Sequence, residues 1–140
     1  MNVPEKYTLK KKFVIGHYLL LILGVLLTIG RWLSVPFPDF VVINQEIHSH
    51  ISNFSLSMLF YLVIGYTWLL SGVKFGYVTL LGGILLVGNL VCETLMGFMN
   101  TTDIIDAVYG AVGTLVSFAY LLAAFRYGLI PVKSKETGEV

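Results

Sequence analysis

The sequence predicts an all-α fold: a polytopic bundle of four transmembrane helices with both termini in the cytoplasm. Three observations predict it. First, 56% of the 140 residues are hydrophobic and only 12% are charged, with a mean hydropathy of +0.83, whereas a soluble domain carries about 25% charged residues. Second, four segments stay apolar over roughly the 20 residues that a helix needs to cross a bilayer. Third, eight of the nine Lys and Arg residues fall where an even helix count puts them on one side. These are Lys6, Lys10, Lys11, Lys12, Lys74, Arg126, Lys133 and Lys135; Arg31 falls on the other side. Basic residues collect on the cytoplasmic face of membrane proteins.

On this reading residues 1–12 are a basic N-terminal arm, 13–126 a single helical domain and 127–140 a cytoplasmic tail. The first helix covers 13–31. Lys10, Lys11 and Lys12 before an apolar run resemble a secretory signal, but no small-residue cleavage site follows, and the first alanine is Ala107. A retained helix is therefore expected. Pro36 and Pro38 break the chain after it. The apolar stretch 35–43 is too short to span and is expected along the outer interface. The second helix covers 51–73, and its polar stripe runs further if the helix starts near residue 46. Lys74, between Gly72 and Gly76, marks a tight hairpin, so the third helix, 75–93, is an antiparallel neighbour. The fourth covers 104–125 and is closed by Arg126.

Composition excludes several functions. A net charge of +1 does not suit a nucleic-acid binder. The single cysteine, Cys92, allows no internal disulfide and no multi-thiolate metal site. There is no phosphate-cradling glycine loop, no HExxH and no nucleophile elbow, so no cofactor is expected and no metal spacing stands out. A small multidrug exporter would carry an acid inside its first helix, and this first helix has none. Asn53-Phe54-Ser55 and Asn100-Thr101-Thr102 match the glycosylation pattern but hug the membrane.

Residues three or four apart share a helix face. His17, Gly24, Thr28 and Arg31 form one stripe. Glu46, His50, Asn53, Ser57, Tyr61, Gly65 and Trp68 form a second. Asn89, Glu93, Gly97 and Asn100 form a third, and Asp103, Asp106, Gly110, Gly113 and Ser117 a fourth. Small residues let membrane helices approach closely, so Gly24, Gly65, Gly110, Gly113 and Ser117 are expected at helix contacts. His17 is expected to be packed.

The carboxylates are distributed unevenly. Asp39, Glu46, Glu93, Asp103 and Asp106 fall at the outer end with His48, His50 and Arg31, leaving that end at a formal −4 with neutral histidines. Charge at mid-bilayer costs about 2.5–3.5 kcal/mol. Acids at the border of an apolar segment therefore have either a partner or a task. Glu46, His50, Glu93, Asp103, Asp106 and Arg31 are the candidate polar site, with Arg31 the expected ion-pair partner of Glu93 or Asp106.

The run Glu93-Thr94-Leu95-Met96, Asn100-Thr101-Thr102-Asp103-Ile104-Ile105-Asp106 and Gly110-Ala111-Val112-Gly113 resembles the VanZ-like family. Glu93, Asp103, Asp106 and Gly113 fall on that family's pattern. So do Glu46 and His50, four apart, with an aromatic at Phe54. Met96, Gly110 and Ile47 stand where the family has glutamine, asparagine and lysine, and Asn100 stands near its arginine. The resemblance covers about half the chain. It implies a small bacterial membrane protein of the cell envelope; the family's named member is associated with low-level resistance to glycopeptides such as teicoplanin.

Three functions fit these observations. One is a cell-envelope protein that handles a cationic or lipid-linked ligand through the outer acidic site. Another is a non-catalytic partner of a larger membrane protein. The third is an intramembrane enzyme acting on a lipid carrier, with a carboxylate–histidine pair as acid and base. The bilayer is the partner common to all three.

Overall fold

A computed structural model of the chain describes residues 6–95 and 103–132. The elements, in order, are β1 (Tyr7–Leu9), α1 (Lys11–Leu33), α2 (Gln45–Leu70), α3 (Phe75–Leu95), α4 (Ile104–Tyr127) and β2 (Leu129–Pro131). Each of the four helices is long and apolar enough to cross a membrane. The helical bundle expected from hydropathy is the fold that forms.

The boundaries differ where local chemistry outweighs hydropathy. α2 begins at Gln45 rather than Ile51 because Asn44 caps it: the Asn44 Oδ1 accepts the Ile47 N–H at 2.8 Å. Glu46 in the first turn favours the positive end of the helix. The added turns are polar, and they carry His48 and His50 onto the helix. α2 ends at Leu70, before a turn in which Gly72 has φ +76°; there a side chain would also press on Lys6 and Tyr7.

α2 packs against each of the other helices and most extensively against α4. Its buried face carries Ile51, Ser55, Met58, Tyr61, Leu62, Gly65 and Leu69. α4 answers with Ala107, Gly110, Gly113, Thr114, Ser117, Leu121 and Ala124. The two backbones approach closely at Gly113, where a Cβ would collide with the Phe54 carbonyl oxygen. One turn on, the Ser117 hydroxyl donates to the Met58 carbonyl at 2.8 Å. Gly65 lies against Leu121, and Gly24 of α1 lies against Leu59 and Met58. Tyr61 donates to the Val78 carbonyl of α3 at 2.8 Å. His17 is buried and stacks on Tyr66 with ring centroids 3.6 Å apart. Outside these seams, leucine, isoleucine and valine side chains of all four helices face outward.

The arm and the tail need correction. Residues 7–9 and 129–131 pair as an antiparallel strap in the register Tyr7↔Pro131, Thr8↔Ile130, Leu9↔Leu129. Lys11 and Lys12 already belong to α1. The Lys6 N–H donates to the Leu70 carbonyl and the Lys10 N–H to the Gly128 carbonyl, each at 2.9 Å, tying the strap to α2 and α4. Leu9, 6% exposed, joins Tyr61, Leu69, Val78, Leu121 and Ala124 in the apolar core. Glu5, Met96, Gly97, Asn100, Thr101, Thr102, Lys133, Lys135, Glu136 and Glu139 lie outside the described residues.

The stretch between α1 and α2 runs through turns and exposes Val35, Phe37 and Ile43. Val42 folds back onto Gly30. Its N–H donates to Nδ1 of the buried His48 at 3.1 Å. His48, which helical spacing does not single out, is thus an anchor for this loop.

Candidate functional site: a histidine and three carboxylates at one end of the bundle

The start of α4 supplies two carboxylates. Asp103 is its N-cap, and its Oδ1 accepts the Ile105 N–H at 2.9 Å. That bond fixes the carboxylate and turns Oδ2 towards His50, 3.8 Å from Nδ1. Asp106, one turn on, brings Oδ1 to 2.8 Å from the same nitrogen. An ionised carboxylate can only accept, so Nδ1–H donates to it. This bond fixes the imidazole tautomer and leaves Nε2 as the ring's basic nitrogen. Tyr109, the next residue on that face of α4, packs against the His50 ring with centroids 5.4 Å apart. Tyr109 is a neighbour of the site that the spacing of polar residues does not single out. The side chains of His50, Asp106 and Asp103 are 12%, 18% and 37% exposed, so the pair is shielded on one side and open on the other.

α3 brings the third carboxylate. Glu93 is half-buried. Its Oε2 is sealed from solvent without a hydrogen-bond partner among the described residues. The charges of Asp106 and Asp103 act on it. One turn below, the Asn89 amide donates to the Ser57 hydroxyl at 3.1 Å and lies against Gly110. This contact joins α2, α3 and α4 immediately beneath the acids and fixes the register of Glu93.

Two expected members stand apart. Arg31 donates from Nη1 to the Ser34 hydroxyl at 2.9 Å, and that hydroxyl donates to the Arg31 carbonyl at 2.8 Å. Ser34 lies within one turn, so this pairing needs no long reach across the bundle. Among the described residues the ion pairs are those of His50 with Asp103 and Asp106, so Arg31 is not the partner of Glu93 or Asp106. Arg31 instead lines a cavity of about 330 Å³ with Trp32, Val35 and Ser52. Glu46 is exposed in the first turn of α2, where its backbone carbonyl accepts the Ser49 hydroxyl at 2.7 Å.

An apolar groove of about 300 Å³ adjoins the cluster, lined by Ile47, Ile51 and Phe54 of α2 and Val108, Tyr109 and Val112 of α4. Tyr109 belongs to both. A polar head and an apolar wall are thus adjacent, the pairing that an amphiphile requires. The same cluster is equipped to move protons, since an imidazole held by a carboxylate is the usual acid–base unit. No family model matches the chain, and neither does any curated protein or solved structure.

Proposed function

We propose that this chain is a multi-pass protein of the bacterial cell membrane, with both termini cytoplasmic. In this reading it acts in the cell envelope by holding a cationic or lipid-linked ligand at its outer end. The observation that carries it is the convergence of His50, Asp103 and Asp106 from two helices, with Glu93 from a third, away from the basic residues of the strap end. Outward-facing apolar side chains on all four helices support insertion. The VanZ-like pattern at Glu93, Asp103, Asp106 and Gly113 supports the envelope role and directs the test to glycopeptides.

The test is susceptibility of a Gram-positive host to teicoplanin and to a non-lipidated glycopeptide, with membrane levels of each protein checked. Wild type should protect, while Glu93→Gln and Asp106→Asn should not. Equal protection by all three would remove the site from the mechanism.

A second reading, a non-catalytic partner for a larger membrane protein, draws on α3. Gly76 and Gly83, seven residues apart and so on one face of α3, have nothing within 4 Å of where a Cβ would stand, an open face on which another helix could pack. A copurifying membrane protein, with a phenotype indifferent to Glu93 and Asp106, would favour it.

A further inference from the structure

The cluster holds more negative charge than its neighbours neutralise. Glu93, Asp103 and Asp106 contribute three negative charges, and His50 returns at most one positive charge. Arg31, the basic residue of this end among the described residues, bonds Ser34 instead. One carboxylate oxygen, Glu93 Oε2, is both sealed from water and without a hydrogen-bond partner among the described residues. A buried acceptor left unpaired beside two like charges is costly. A cation of charge two bound among these groups would offset the excess charge.

The ligand atoms are spaced for one. Single donor atoms of His50, Asp103 and Asp106 lie within 4.8 Å of one another. Donors about 2.1 Å from a shared ion stand roughly 3.0–3.4 Å apart. The 2.8 and 3.8 Å separations from His50 Nδ1 bracket that value. We infer that His50, Asp103 and Asp106 coordinate a divalent transition-metal cation where α2 meets the start of α4, with Glu93 of α3 adding negative charge nearby. The inference rests on the reading of this cluster as the functional site, and it names the cation that the site takes.

One imidazole among carboxylates favours zinc or manganese over calcium or magnesium, which take oxygen alone. The ion replaces the proton between Nδ1 and Asp106 Oδ1, so binding releases that proton and weakens as pH falls. Asp103 Oδ1 stays on the Ile105 N–H and orients the carboxylate whose Oδ2 turns to the ion.

The experiment uses the full chain, stripped with a chelator and held in nanodiscs of zwitterionic lipid. Zn²⁺ is titrated against a chromophoric chelator, with Ca²⁺ and Mg²⁺ as parallel arms and circular dichroism to verify helix content. One equivalent of Zn²⁺ per chain is expected, with proton release. His50→Gln and Asp106→Asn should each weaken binding at least tenfold, the scale seen even for outer-shell losses. Asp39→Asn, an exposed loop acid of the same end, should bind as wild type does. Less than one equivalent overturns the inference, as does a loss in Asp39→Asn equal to that in Asp106→Asn. Asp103→Asn keeps a capping side chain at the start of α4 and covers the case in which a His50 or Asp106 variant loses its helices, since weakened binding is expected there too and wild-type binding would overturn the assignment. The two readings fail separately. A wild type that protects cells but binds no zinc keeps the envelope role and loses the metal; a zinc site without a phenotype does the reverse.

Discussion

Gly113 and Gly83 sit in opposite surroundings on neighbouring helices, and alanine at each gives opposite results. At Gly113 the new methyl meets the Phe54 carbonyl and lies 3.2 Å from the Met58 nitrogen, which are backbone atoms that cannot rotate away. Gly113→Ala should cost about 1–3 kcal/mol as α2 and α4 are forced apart. At Gly83 nothing lies within 4 Å, so Gly83→Ala should be neutral or gain up to about 1 kcal/mol from helix propensity. Unfolding of the purified variants in detergent measures both. The Gly113 contact was legible in the sequence because small residues at helical spacing suit a close crossing. Asp103, Asp106 and His50 were legible for a related reason: their spacing puts each pair of neighbours on one face. Arg31 was not. Sequence shows charge but not reach, and Ser34 within one turn satisfies the guanidinium sooner than an acid across the bundle.

At the scale of the element, the four long apolar helices were visible because each is an unbroken apolar run of the length that a bilayer crossing needs. The start of α2 was not, since residues 45–50 are mostly polar and a hydropathy scan stops short of them. The signal that was available was Asn44 with Glu46 in the first turn, a capping pattern rather than an apolar one. The strap left no signal at all, because three residues are too few to establish a strand period. Its register can be checked directly. In a Cys92→Ser background, Thr8→Cys with Ile130→Cys places two thiols on opposed residues, where the Cα separation of an antiparallel pair suits a disulfide. Oxidation should crosslink that pair and shift its migration on a non-reducing gel, while Thr8→Cys with Lys74→Cys should not crosslink. The reverse result would mean that the two strands do not pair.

For the whole molecule, the charge distribution fixes the expected orientation. Lys74 and the strap belong to the basic end, and Asp39 to the acidic one. With Cys92 replaced, Lys74→Cys should react with a membrane-impermeant thiol reagent only after cells are permeabilised, and Asp39→Cys should react in intact cells. Swapped labelling would put the His50 cluster in the cytoplasm and remove its access to an outer-leaflet ligand. The strap bears on how this molecule is made. β1 precedes α1 and β2 follows α4 in the chain, so the strand that carries Leu9 has no partner until α4 has been made. An unfinished chain keeps residues 7–9 unpaired, with Leu9 outside the apolar core that it later completes. The strap thus clasps the segment before α1 to the segment after α4, so the core around Leu9 closes only once α4 has been made and packed.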